Sequence, residues 1–160
     1  MRIIETKAYQ FEELDEQTKE KAIDNYRHIS VEDHFWYDCI KEDLSHVCIE
    51  LRSFDIERGS FAEIHLEDFY DTCHLILKFH GLNCETYKIA ERYIKEYNDI
   101  QHDEDLDEKL DDLDEEYQKE FSEEVLSMLR REYEYMTSDE HIIEMFEVNG
   151  YEFTDQGKLI

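Results

Sequence analysis

The feature that most restricts this chain is a run of apolar residues set into its most acidic stretch. Leu106, Leu110, Leu113, Tyr117, Phe121, Val125 and Met128 recur every three or four residues, and Glu132 continues the spacing. That is the period of one face of an α-helix. From Asp99 to Glu124 the same stretch carries 14 Asp and Glu against Lys109 and Lys119, a net charge of −12. A solvated acidic tail has no reason to place Leu, Tyr and Phe at helical intervals, so the segment reads as an amphipathic helix with one buried seam. Its expected length is up to about 30 residues, or about 45 Å at 1.5 Å per residue.

Elsewhere the period changes along the chain. Arg2 to Gln10 alternates loosely and suits a strand. Asp15 is placed to cap a helix with Ala22, Ile23, Tyr26 and Ile29 on one stripe and Glu16, Glu20 and Asp24 outside it. A second helix is expected from Phe35, Trp36, Cys39, Ile40, Leu44 and Val47, with Ser30 or Asp33 as its cap, and the two helices should pair. From Cys48 the period is two: Ile49 and Leu51, then Phe54 and Ile56, then Ala62, Ile64 and Leu66, with a turn at Arg58-Gly59. This predicts a hairpin, and the parity switch between Leu51 and Phe54 predicts a bulge near Arg52 or Ser53. Cys73, Leu75, Leu77 and Phe79 alternate with His74, Lys78 and His80, which reads as a third strand ended by Gly81.

Tyr87, Ile89, Ala90, Tyr93, Ile94 and Tyr97 restore the helical spacing, and a polar break follows from Asn98 to Asp105. Thr137 and Glu140 form a capping-box pattern ahead of Ile142, Ile143 and Phe146, and Tyr151 to Ile160 reads as a short hairpin around Asp155-Gln156-Gly157. The fold expected is α+β: a small antiparallel sheet from the region 48 to 80, joined by the terminal strands, packed by several helices including the long acidic one. With 160 residues and 41% apolar content, one core suffices. The chain is therefore read as a single domain, with an α+β core at 1–98, the acidic helix and a short helix at 104–148, and a terminal hairpin at 151–160.

Charge narrows the function classes. With 17 Lys and Arg against 44 Asp and Glu, the net charge is −27. Such a field repels nucleic acid and anionic lipid and speeds encounter with basic surfaces. No apolar run exceeds three residues, so neither a membrane span nor a secretory apolar segment is expected, and the cytoplasm of a host cell is the expected location. The four cysteines are irregularly spaced and read as reduced, mostly buried residues.

The eight histidines and four cysteines contain no closely spaced ligand pair of the C-x2-C or H-x3-H kind. On a regular strand Cys73 and His74 would face opposite sides, and His74 and His80 would stand about 20 Å apart. There is no G-x-S-x-G, P-loop or G-x-G-x-x-G, and only four glycines. No catalytic residue, metal or cofactor is assigned; a hydrolase built on His74, His80 or the cysteines is the third reading.

The acids of the long helix are the candidate site. The contacts expected are Asp107, Glu108, Asp111, Asp112, Asp114, Glu115 and Glu116, among which pairs such as Asp107 and Asp111, Asp111 and Glu115, or Asp112 and Glu116 stand at i,i+4 and make rows with a regular charge repeat. Duplex DNA presents one phosphate charge per about 1.7 Å of axis, so a crowded carboxylate face is suited to a basic nucleic-acid-binding groove. The partner expected is a basic nucleic-acid-binding host protein, such as a CRISPR effector, restriction enzyme or toxin. Two blander readings stand beside it. One is a solubilising face, and the other is a binding or assembly module, including a homodimer, that uses exposed aromatics.

Phe11-Glu12-Glu13-Leu14-Asp15-Glu16-Gln17-Thr18-Lys19-Glu20-Lys21-Ala22, followed by Tyr26-Arg27 and Trp36-Tyr37, resembles the opening of a widespread, uncharacterised family of small acidic phage and prophage proteins. Phe54-Asp55-Ile56, Ser60-Phe61-Ala62, the stretch Glu134 to Glu140 and the ending Tyr151-Glu152-Phe153-Thr154-Asp155 are similar to the same family. Some members carry an antitoxin label. The resemblance implies an origin in a phage or mobile element and transfers no catalytic residue. Members tend to be richer in glycine and aspartate where this chain has Ile56-Glu57-Arg58-Gly59-Ser60.

Overall fold

The computed structural model describes residues 7–102 and 104–160. The described residues divide into two compact units, one within 1–36 and 132–160 and the other within 37–131.

In the first unit, α1 (Glu16–Tyr26) starts at Asp15, whose Oδ1 accepts the Thr18 N–H at 2.8 Å. It buries Thr18, Ala22 and Ile23. Two short strands, β1 (Tyr9–Gln10) and β4 (Glu152–Phe153), pair antiparallel. Of the strand expected at Arg2 to Gln10, only Tyr9 and Gln10 are strand; Lys7 and Ala8 are not, and residues 2–6 lie outside the described residues. The last helix, α6 (Asp139–Val148), buries Ile142 and Phe146. Its cap is Ser138, whose Oγ accepts the His141 N–H at 3.2 Å, one residue later than the Thr137 cap expected. Thr137 instead donates its hydroxyl to the Tyr133 carbonyl at 2.8 Å, one turn back on the preceding helix.

The core of this unit is aromatic. The Phe146 ring packs tilted against Phe11 at 5.3 Å and edge-on against Phe153 at 4.9 Å. Arg27 fastens the start of α6, donating to the Thr137 carbonyl at 3.0 Å and to Asp139 at 2.6 Å. The expected terminal hairpin is present: Thr154 N–H donates to the Lys158 carbonyl at 2.8 Å, and Leu159 N–H donates to the Tyr26 hydroxyl at 2.9 Å.

In the second unit, α2 (Asp38–His46) buries Ile40 and Leu44. No side chain caps it, so Ser30 and Asp33 do not serve as expected, and Phe35 is 75% exposed rather than part of the buried stripe. A hairpin follows, β2 (Ile49–Asp55) with β3 (Phe61–Leu66), and its register shifts between Leu51 and Ser53 where the bulge is expected. Asp55 folds the turn by accepting the Glu57 and Arg58 N–H groups at 2.7 and 3.1 Å.

The third strand is not there. Residues Phe69–Phe79 form a helix, α3, capped by Asp68, which accepts the Asp71 N–H at 2.8 Å. Thr72, Cys73 and Ile76 are its buried residues, spaced by one, three and four positions as on one helical face, while Phe79 is 60% exposed. The apparent alternation came from Leu75, Leu77 and Phe79, which are only partly covered or exposed. The terminal strands also do not join the hairpin; the strands make two separate two-stranded sheets, and the α+β class stands with fewer strands per sheet.

α4 (Glu85–Ile100) buries Thr86, Ile89, Ala90 and Tyr93 and continues three residues, Asn98 to Ile100, into the expected polar break. α5 (Leu106–Met136) is 31 residues long and buries Leu113, Tyr117, Phe121, Val125, Leu126 and Leu129.

Gly157 tests the packing of the first unit. Its φ is +74°, and a Cβ there would meet the Thr18 carbonyl oxygen at 3.0 Å. Both the left-handed backbone and the contact with a helix carbonyl oppose a side chain. Gly157→Ala should therefore lower unfolding stability by about 2 kcal/mol, measured by urea denaturation. An unchanged midpoint would show that the terminal hairpin does not pack on α1 as described.

Candidate functional site

The first half of α5 is held by three kinds of contact within the second unit. Its buried seam supplies the apolar part. Two phenols supply the polar part: Tyr117 donates its hydroxyl to Glu96 at 2.8 Å, and Tyr93 donates to Asp114 at 2.7 Å. Burial, followed by the neighbouring carboxylates, raises the pKa of both phenols, so they stay protonated and remain donors. Gln118 closes the third contact, its side-chain amide donating to the Ile64 carbonyl of β3 at 2.8 Å.

With the seam fixed, the acids sort themselves. Asp107, Glu108, Asp111, Asp112, Glu115 and Glu116 are exposed. At 100° per residue they cover about half the circumference opposite the seam, in the rows 107-111-115 and 108-112-116 with a rise of about 6 Å per step. None of the six has a cationic partner among the described residues. They span about 14 Å, one charge per about 2.5 Å, between the 1.7 Å of duplex DNA and the 3.4 Å of one strand.

Asp114 departs from expectation. It lies half-buried under Tyr93 and not on the outer face, because its position on the helix falls at the edge of the seam. Burial, with the Asp111 and Asp68 charges, raises the pKa of its carboxyl.

Other acids are neutralised by the chain itself. Glu120 pairs with Arg92, Glu124 with Arg131 at 2.8 Å, and Asp105 with Lys109 at 3.1 Å. On α1, Glu16 pairs with Lys19 and Asp24 with Arg27. The six outer acids of α5 differ in lacking such partners among the described residues, and Lys119, one step beyond Glu115, marks the end of their row.

The His and Cys candidates are dispersed. All four cysteines are free thiols, but only Cys73 is buried; Cys39, Cys48 and Cys84 are exposed, a correction to the expectation that most would be buried. Cys39 faces solvent on α2, while Cys48 and Cys84 lie at element ends, where the chain turns outward. Burial pushes the Cys73 thiol up to about 12, so it is not a nucleophile at neutral pH. His80 Nδ1 lies 2.7 Å from Thr86 Oγ1, and its Nε2 lies 3.7 Å from Asp43. His74 packs edge-on against Tyr70 at 4.5 Å. Among the described residues no group of three or more His, Cys, Asp or Glu is placed to hold a metal ion, and no helix is long and apolar enough to cross a membrane.

Comparison with protein-family models, curated proteins and solved structures finds no match.

Two expected outcomes follow from these charges. Like charges at i,i+4 cost about 0.2 to 0.5 kcal/mol per pair, and Asp112 makes two such pairs, with Glu108 and Glu116. Asp112→Lys turns both into attractions and should stabilise the chain by about 1 kcal/mol at low ionic strength, with the gain shrinking in salt. Thermal unfolding at two salt concentrations measures it, and a loss of stability would mean that Asp112 is already compensated. For Asp114 the sign runs the other way from an ordinary ion-paired aspartate. A carboxyl with a raised folded-state pKa destabilises the folded chain when ionised. Asp114→Asn keeps an acceptor for Tyr93 and removes that charge, so it should raise the urea midpoint at pH 7. The gain should vanish as pH falls through the carboxylate range.

Proposed function

We propose that this chain is a non-enzymatic accessory protein of a phage or mobile element whose α5 acid face occupies the basic groove of a nucleic-acid-binding host protein. One observation carries the reading: six exposed carboxylates at phosphate-like density, without a cationic partner among the described residues, on a helix whose opposite side is buried. An arrangement that repels itself gains most from a cationic surface, because each i,i+4 repulsion is relieved when a lysine or arginine is brought between the rows. Rigidity adds to this, since a seam fixed by packing and by two tyrosine hydroxyls presents the charges without an ordering cost at the moment of binding. Inhibition follows from competition, because the groove that holds the carboxylates is closed to nucleic acid.

The test is affinity capture from bacterial host lysate at low and high salt. The wild-type chain should retain a basic nucleic-acid-binding protein at low salt and lose it at high salt. Replacing Asp107, Asp111, Asp112 and Glu115 together by lysine should abolish capture. Capture indifferent to the fourfold reversal would overturn the assignment.

A second reading has its own observation. Phe35 and Phe79 are 75% and 60% exposed, and Leu82 is 71% exposed. Contacts made by these side chains, including self-association, would persist in high salt, where the acid face would not. Sedimentation at both salt concentrations separates the two.

A further inference from the structure

On one flank of the acid rows the second unit has a recess of about 420 Å³ whose walls are aromatic and acidic. Phe69, Tyr70, Tyr93 and Tyr97 supply the rings. They form a continuous series, with Phe69 5.7 Å from Tyr93, Tyr93 6.2 Å from Tyr97, and Tyr97 4.6 Å from Tyr70. Glu67, Asp68 and Asp114 supply the carboxylates, and among the described residues no lysine, arginine or histidine lines the recess.

We propose that this recess holds the guanidinium of an arginine side chain carried by a basic polypeptide partner. The inference deepens the reading of α5 as a surface for a basic protein and rests on it. Ring faces attract cations through their quadrupole, and a guanidinium stacks flat on a ring while its edge donates to a carboxylate. Rings and carboxylates both line the recess. Asp114 has one oxygen occupied by the Tyr93 hydroxyl, which orients the carboxylate, and its second oxygen has no donor among the described residues. Asp68 is fixed in the same way, one oxygen capping α3.

The electrostatics agree with the geometry. Burial and the charges of Asp111 and Asp68 raise the Asp114 pKa, so the carboxylate is short of positive charge, and a bound cation offsets that. Leu110 and Asp114, on the α5 wall of the recess, are one turn apart and adjoin Asp107 and Asp111. An arginine seated here therefore places the neighbouring residues of a basic segment against the acid rows. An ammonium would satisfy the carboxylates but would not stack, which is why arginine and not lysine is assigned.

The test uses the full chain and a defined probe. Ring resonances of Tyr70, Tyr93 and Tyr97 are followed by NMR during titration with acetyl-Gly-Arg-Gly-amide, its citrulline counterpart and its lysine counterpart. The arginine peptide should shift the Tyr70 and Tyr97 rings saturably, the citrulline peptide should not, and the exposed Tyr135 ring should stay in place. Tyr70→Leu, a change at a partly exposed ring, should weaken binding about threefold. Asp114→Asn should weaken it further, with folding checked on the same spectra. The assignment is overturned by absent ring shifts, by citrulline or lysine acting as well as arginine, by Tyr135 moving in parallel, or by indifference to both substitutions. No partner protein enters this titration, so a negative result here leaves the capture experiment on α5 to be judged separately, and the reverse also holds.

Discussion

The structure depends on the burial of one seam along a helix that would not otherwise be stable. Leu113, Tyr117, Phe121, Val125 and Leu129 are removed from water while the acids opposite them repel one another. An isolated helix with this charge would be marginal, since each like pair at i,i+4 costs a few tenths of a kcal/mol and nucleation is unfavourable. Burying side chains of this size contributes about 1.5 to 3 kcal/mol each, so the seam outweighs the repulsion several times over. The surplus is what allows a rigid, unneutralised acid face.

Polar contacts decide the orientation that apolar burial leaves open. Tyr93 and Tyr117 are both almost wholly buried, and each spends its hydroxyl on a carboxylate of the facing helix: Tyr93 of α4 on Asp114, Tyr117 of α5 on Glu96. The exchange is reciprocal and fixes the rotation of α5 about its axis. One consequence is the sorting of the acids into an outer set of six and an inner Asp114. A second is the aromatic and acidic recess beside them, because Tyr93 is at once an anchor for α5 and a wall of that recess. The acid face and the recess are two products of one packing arrangement, and the partner proposed, one that is basic and presents arginine, would meet both.

Much of the fold was legible in the residues themselves. The caps at Asp15, the bulge after Leu51, the extent of α5 and the helix at Glu85–Ile100 all follow from local chemistry: a side chain that accepts an N–H, a switch in parity, a period of 3.6. The failures share a cause. In Cys73 to Phe79 an alternation of period two and a stripe of period 3.6 coexist, since a dense apolar run satisfies both, and the deciding signal was the Asp68 cap upstream. Phe35 fits the α2 stripe by spacing but lies outside it, because the chain there winds through the tight turn His34–Tyr37 before the helix begins, while Cys39 sits on α2 but faces solvent.

By itself the sequence determined that a long acidic helix with an apolar seam would form, and that carboxylates along it would stand in regular rows, because helical period is a property of the backbone. Only the tertiary structure decided which acids remain unpaired, that Asp114 turns inward, and that four rings from α3 and α4 meet beside it. Those outcomes depend on which residues distant in the chain come within 3 to 6 Å of one another, and local spacing carries no information about that.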